Sequence, residues 1–294
     1  MMSYRPVSLV LVMMFAAWAP VAPAPAATTG EGHFYFVQIT DLHWGARDGV
    51  SLTRRAVEAI NTLPVVPSFV AVTGDLFSDS IRNDQVVKEG LAAVKGLKPP
   101  VYFIPGNHDI TKTDAATTTQ AFELLFGPVN RKAEVNGVVC LFVCTEPTDA
   151  GTHRPGEIQR DWISKNIGSG RKPVLVFMHR PPLRDMLTGS DGEVSWDDKV
   201  DSRWVRLFET RPEIKAVFAG HWHRDELGWV GATPVYVCPA VARFWDRKPA
   251  FRLYEYDHGR VSYWTLFPED VGKREKSPKA AKPMKGRQRA ANQE

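Results

Sequence analysis

The chain has 294 residues, 44% of them apolar and 24% charged, which is enough to bury one full core. Its three cysteines, an odd number, give no disulfide framework, and this excludes a small cross-linked scaffold. The formal charge of +4 belongs to the ends: removing +6 for residues 273–294 and the single charge of Arg5 leaves 27–272 near −3, so the basicity says little about the body of the chain.

Residues 1–26 carry Arg5, the twelve-residue apolar run Val7–Trp18 and the small-x-small site Ala24-Pro25-Ala26. This is the pattern of a secretory signal peptide, and the run is too short for the roughly twenty residues of a spanning helix. The expectation is export to a periplasm or the medium, with 27–272 as one domain and no membrane-spanning segment after cleavage; an uncleaved anchor is the alternative. From Lys273 to Glu294, eight Lys or Arg stand against two Glu without apolar periodicity, which predicts a disordered basic tail able to meet anionic surfaces.

Between these ends, apolar runs alternate with helical patterns. A strand over about 33–40 runs into Asp41-Leu42-His43, and a helix over about 51–63 follows, with Ser51 as its expected N-cap and Leu52, Ala56, Val57 and Ile60 on one face. The run Ser68–Thr73 leads to Gly74-Asp75, a second helix is capped by Asn83, and Val101–Ile104 leads to Gly106-Asn107-His108-Asp109. This βαβαβ order predicts parallel pairing. A short helix over Thr117–Phe126 and a hairpin about Asn136-Gly137 come next. Within that hairpin Cys140 and Cys144 are about 13 Å apart on extended backbone, too far to bridge, and read as inert core.

Glu157–Ile167 is amphipathic, Val174–Met178 leads to His179, and 180–200 is long and polar enough to form a rim or lid beside a site. A helix over Val200–Glu209 precedes the run Ala216–Phe218, which leads to Gly220-His221-Trp222-His223. Four further strands follow without helices, and they predict an antiparallel run. The fold class expected is α/β: two mixed sheets packed as a sandwich, flanked by helices.

Five strand-like runs therefore release Asp, Asn or His at their carboxyl ends, as a metal site at the carboxyl edge of an α/β sheet requires. Asp41 and His43, and likewise His221 and His223, are two apart. On extended backbone each pair would face one way while Leu42 and Trp222 turn inward. Carboxylate, amide and imidazole without thiolate suit first-row ions such as Mn, Fe, Co, Ni or Zn and exclude an iron–sulfur or structural zinc centre. Seven ligands are too many for one ion and suffice for two if Asp75 bridges. Two such ions would activate a bridging water as a nucleophile.

His108, adjacent to Asn107, is the candidate general acid or oxyanion donor, with Asp109 either orienting it or capping the turn. Arg180, directly after His179, is a candidate contact for an anionic substrate group or a plain surface residue. Trp44 and Trp196 are candidates for stacking on an aromatic group, with packing as the alternative. His33, His153 and His258 fall outside every motif and read as bystanders.

In order, Asp41-x-His43, Gly74-Asp75, Gly106-Asn107-His108-Asp109, His179 and Gly220-His221-x-His223 resemble the five motifs of the calcineurin-like metallophosphoesterase superfamily, over roughly residues 34–223. The resemblance implies the two-sheet calcineurin-like fold and two divalent or trivalent ions, Mn, Fe or Zn. It implies one ion on Asp41, His43, Asp75 and His223 and the other on Asp75, Asn107, His179 and His221. Ser78 stands where the purple acid phosphatase branch has a tyrosine ligand. The pattern looks most like the branch of cyclic-nucleotide and other small phosphodiesterases.

The expected activity is hydrolysis of phosphate mono- or diesters of small substrates, with no specific nucleic-acid site evident. A protein phosphatase, a nuclease or a metal-retaining binding platform are the alternatives. A platform would be expected to lose His or Asp ligands, and none is lost.

Overall fold

A computed structural model describes residues 32–146, 157–167, 172–183 and 206–272. The expected signal segment, the basic tail, His153, Trp196 and most of the 180–200 loop lie outside these residues.

The elements in chain order are β1 (His33–Ile39), α1 (Gly49–Asn61), β2 (Val70–Thr73), α2 (Asp84–Val94) and β3 (Val101–Ile104), then a short 3₁₀ turn (Lys112–Asp114) and α3 (Ala115–Phe126). After them come β4 (Arg131–Val135), β5 (Val138–Val143), α4 (Glu157–Ile167), β6 (Val174–Met178), β7 (Ile214–Ala219), β8 (Glu226–Val230), β9 (Thr233–Val237), β10 (Phe251–Asp257) and β11 (Arg260–Leu266). Residues 206–210 are helical, the described part of the helix expected there. Among the described residues no helix is long and apolar enough to cross a membrane.

Two sheets form, in the orders β11-β10-β1-β2-β3 and β4-β5-β6-β7-β9-β8. Strands β1, β2 and β3 are parallel, as are β5, β6, β7 and β9, so their carboxyl ends share one edge. The last four strands do not form one antiparallel run as expected. β10 and β11 join the first sheet beside β1, and β8 and β9 join the second beside β7. The physical reason is burial: Phe251 and Tyr254 of β10 and Val235 and Val237 of β9 are each fully buried, and a separate hairpin layer would leave such residues uncovered.

Aromatic rings fill the space between the sheets. Phe36 stacks on Phe69 at 5.1 Å and meets Phe218 edge-on at 5.0 Å, and Phe177 stacks on Phe218 at 4.9 Å. Such pairs contribute about 0.5–1.5 kcal/mol each beyond the area they bury. The outer face of the first sheet packs on the apolar faces of α1, α2 and α3, and that of the second on Ile163 and Ile167 of α4 with Leu207 and Phe208.

Local chemistry sets the boundaries. Asn83 caps α2, its side chain accepting from the N–H groups of Gln85 and Val86. Ser51 is not the cap of α1. The helix begins at Gly49, where a β-carbon would sit 2.4 Å from the carbonyl oxygen of His43, and the Ser51 hydroxyl instead donates to the Asp48 carbonyl within the first turn. The start of α1 is thereby pinned to the loop that carries His43. All three cysteines are buried and unbridged.

Candidate metal centre

Because the parallel strands end on one edge, β1 delivers Asp41 and His43, β2 Asp75, β3 Asn107, β6 His179 and β7 His221 and His223 to the same place. Asp41, His43, Asp75 and His223 form one group able to hold an ion, and Asp75, His179 and His221 form a second; within each group the candidate donor atoms lie within 4.8 Å of one another. Asp75 is common to both. Asn107 joins the second group, its Oδ1 standing 3.1 Å from His179 Nε2.

The backbone reaches this arrangement by a route other than extended i, i+2 geometry. Asp41, His43, Asp75, His221 and His223 have φ of 53°, 47°, 51°, 72° and 50°, all in the left-handed region. Each such residue costs on the order of 1–2 kcal/mol for an L-amino acid, and outliers of this kind gather at functional sites. Leu42 and Trp222 still turn into the interior as expected. Backbone bonds tie the loops together: Asp41 N–H donates to the Gly74 carbonyl, His43 N–H to the Asp75 carbonyl, and Gly220 N–H to the His179 carbonyl.

Three motif glycines make room for the donors. A β-carbon at Gly74 would lie 2.3 Å from His179 Nδ1, at Gly106 2.3 Å from Asp75 Oδ1, and at Gly220 2.9 Å from Asp41 Oδ2 and 2.0 Å from Thr40 Oγ1.

The donor set fits a pair of ions. His223 Nδ1 is buried with no hydrogen-bond partner, and the buried Asp41 Oδ1 lies 3.1 Å from His223 Nε2. Asp41 Oδ2 is occupied by the His221 N–H, and Asp75 Oδ1 by the His108 N–H. His43 Nε2 and His223 Nε2 face each other at 3.3 Å, a contact between two acceptors unless a proton or a cation lies between them. His179 Nδ1 is 2.8 Å from the Thr73 carbonyl, which fixes its proton there and turns Nε2 to Asp75 and Asn107. His43 Nδ1 is held in the same way by the Ser78 hydroxyl at 3.1 Å.

Charge follows geometry. Burial holds the His43 imidazole down to about 4, and burial with His179 and Arg180 nearby holds His221 well below its ordinary value, so both offer lone pairs at neutral pH. Burial opposes the imidazolium of His179, but Asp75 outweighs it and raises the pKa to about 10. Burial likewise opposes the carboxylate of Asp75, and His179 and His43 outweigh it, holding its pKa below the usual carboxylate range.

His108 stands at the mouth, half exposed, with Nδ1 3.1 Å from Asp79 Oδ2. Burial lowers its pKa, and Asp75 and Asp79 together raise it above the ordinary value. The residue that orients His108 is therefore Asp79, not Asp109. Asp109 is buried and accepts from the backbone N–H groups of Leu76, Phe77 and Gly106, bracing the Asp75 loop against the Asn107 loop; burial and Asp75 raise its pKa to about 7. Asp79, with φ 52°, follows Asp75 by four residues and carried no motif to mark it.

Arg180 is no surface residue. Its Nε donates to Glu146 Oε1 at 2.9 Å, and Nη1 lies 3.1 Å from His221 Nε2. Glu146, just after β5, carried no motif to mark it. Trp44 is not a stacking platform: it is 0% exposed, bonds Thr53 through Nε1 and meets Phe77 edge-on. His33 and His258 lie at the far edge, on Glu255 and Asp257.

Two aromatic residues beside the donors escaped the sequence reading. Phe244 lies 4.6 Å from the rings of both His43 and His223, and Trp245 lies 5.2 Å from His223. Both come from the 238–250 connection between β9 and β10. Its backbone is bound to the ligand loop through Val241 N–H to the Thr40 carbonyl and Ala242 N–H to the Asp41 carbonyl.

A two-sheet sandwich with this donor set at one edge defines a dinuclear metallophosphoesterase. The chain belongs to the calcineurin-like phosphoesterase family, whose model matches residues 34–225. It is 27% identical over 238 residues to the serine/threonine-protein phosphatase CPPED1 of Danio rerio, covering 72% of this chain and 77% of that one. It is also 27% identical over 201 residues to the glycerophosphodiester phosphodiesterase GpdQ of Enterobacter lignolyticus, covering 63% of this chain and 66% of that one. A solved dimetal phosphatase from Danio rerio shares the fold with TM-score 0.55 and 14% identity, over 80% of this chain and 99% of that one. The family binds two divalent metal ions, and the chain is a hydrolase.

Proposed function

We propose that this hydrolase acts after export on small phosphate diesters. The observation that carries the reading is the pair of donor groups joined through Asp75, with the His108–Asp79 pair standing beside them. Asp41, His43, Asp75 and His223 would hold one ion, and Asp75, Asn107, His179 and His221 the other. When bound, two such ions supply a nucleophile at neutral pH and withdraw charge from the phosphoryl oxygens. The chain's own residues do the rest. His108, whose charged form is favoured by its carboxylate neighbours Asp75 and Asp79, donates a proton to the departing oxygen. Asp79 orients that imidazole, Asp109 keeps the two loops at a fixed separation, and Phe244 shields the His43 and His223 side from water.

Diesters are favoured over monoesters by similarity to the phosphodiesterase GpdQ. Similarity to CPPED1 favours a second reading, dephosphorylation of phosphoserine or phosphothreonine in proteins. Export is supported by the signal pattern of residues 1–26, and attachment to anionic surfaces by the eight basic residues of the tail.

Turnover of an aryl diester, an aryl monoester and a phosphoserine peptide, each after chelation and after Mn²⁺ is restored, tests the reading. Diester turnover should be highest and depend on the metal. Faster peptide turnover would select the second reading, and full activity after exhaustive chelation would overturn both. Amino-terminal sequencing of the mature chain, expected to begin at Ala27, tests export.

A further inference from the structure

Five large apolar side chains stand exposed among the described residues: Val66, Leu124, Trp229, Trp245 and Trp264. Trp245 is the one whose ring touches a candidate ligand, at 5.2 Å from His223, and it is 70% exposed. Its backbone is costly as well. Trp245 and Asp246 have φ of 48° and 57°, and a bulky residue in the left-handed region is a genuine outlier.

The conformation is held in place from several sides. Arg247 N–H donates to the Phe244 carbonyl and closes the turn, the Arg247 guanidinium lies 5.5 Å from the indole centre, and its Nη1 donates to the His223 carbonyl at 3.0 Å. Phe244 anchors the other side of the turn on His43 and His223. An indole that only filled space would be buried, as Trp44 is. Here the loop spends backbone strain to keep a large ring in solvent next to the metal donors, and such an outlier points to a function.

We infer that Trp245, steadied by Arg247, is a stacking platform for a planar group on the non-leaving arm of the ester at the metal centre, so that esters whose non-leaving arm is aromatic or a nucleobase are preferred over those in which it is alkyl. Indole is a strong π-surface, and stacking of a base on an aromatic side chain is worth roughly 5–150-fold in affinity by alanine substitution. Arg247 adds a positive charge beside the ring, which suits an anionic ester and disfavours a quaternary ammonium arm. This inference rests on the phosphodiesterase reading and deepens it; Trp245 acts in binding the arm and takes no part in bond breaking.

The test compares 4-nitrophenyl phenyl phosphate with 4-nitrophenyl ethyl phosphate on the metal-loaded enzyme, since the leaving group is the same and only the second arm differs. Trp245→Ala should raise KM for the phenyl ester roughly tenfold or more and leave the ethyl ester within about twofold. Both kcat values and the metal content should hold. Trp245→Phe should keep most of the phenyl preference and Trp245→Leu should not. Calorimetric binding of phenylphosphonate against methylphosphonate should show the same loss in Trp245→Ala without turnover. Equal changes for both arms, full rescue by Leu, or loss of metal in Trp245→Ala would each overturn the platform while leaving the phosphodiesterase reading standing. A wild-type enzyme that hydrolyses neither diester would overturn that reading and the platform with it.

Discussion

At the amino-terminal edge of the sandwich, the turns Asn136-Gly137 and His258-Gly259 have φ of 47°, 81°, 48° and 94°; at the carboxyl edge, Asp41, His43, Asp75, His221 and His223 have φ of 53°, 47°, 51°, 72° and 50°. The two edges thus use the same region of backbone space for different ends. At the first edge each left-handed residue is paired with glycine in a tight hairpin, where the twist of the strands demands it. At the second no hairpin exists among the described residues, and the bend aims a donor side chain at its neighbours. Left-handed backbone is therefore explained by turn geometry at one edge and by the positions of side-chain atoms at the other.

The largest effect expected from breaking this contrast is at Asp75. Asp75→Ala removes the one carboxylate shared by both donor groups, and activity should fall to background with weakened binding of both ions; two ions bound at wild-type affinity would show that Asp75 does not bridge. Next comes His108→Ala, which should lose roughly 10²–10⁴ in rate on an alkoxide leaving group. It should lose much less on a nitrophenolate, with metal content unchanged. Equal losses on both leaving groups would remove the general-acid role.

Smaller effects belong to the side chains that hold donors in place. Ser78→Ala frees His43 Nδ1 and should weaken metal affinity about 10–100-fold, read by titration with Mn²⁺. For Asp79→Asn the readout is pH. Burial works against the imidazolium of His108, and Asp75 and Asp79 outweigh it, so protonated His108 persists as pH rises and is lost only above its ordinary range. Removing the Asp79 charge lowers that pKa, and the alkaline limb of the rate profile should move to lower pH; an unmoved limb would separate Asp79 from proton donation.

The smallest effect sharpens the comparison most. His258→Gly should change stability by less than about 0.5 kcal/mol and leave activity intact, since His258 serves only its turn. His43→Gly relieves the same backbone cost but removes a buried ring that packs on Phe244 and bonds Ser78, so the metal-free protein should lose stability by denaturant titration and activity should vanish. Retained activity in His43→Gly would place the donor elsewhere.

Much of this was legible in the chain. Asp41, His43, Asp75, Asn107, His179, His221 and His223 each close an apolar run, and parallel pairing then places those ends on one edge. The hairpin at Asn136-Gly137 and the cap at Asn83 were equally local. Partners from elsewhere in the fold were not legible. Asp109 sits next to His108 in sequence, but its carboxylate turns to the N–H groups of Leu76, Phe77 and Gly106. Glu146, Phe244 and Trp245 reach the site from loops whose sequences carry no motif. The division of the last four strands between sheets was decided by which surfaces needed covering, and single-strand patterns do not encode that.

One arrangement has a further consequence. Asp41, His43, Asp75 and Asn107 come from the first sheet and His179, His221 and His223 from the second, so an ion held by either donor group would cross-link the two halves of the sandwich. The unfolded chain presents no such constellation, and mass action then ties the durability of the fold to the free ion concentration around it. A hundredfold excess of ion over its dissociation constant adds about 2.7 kcal/mol to stability. In an environment where ions are scarce the same chain is softer, and its lifetime there becomes a measure of the metal supply.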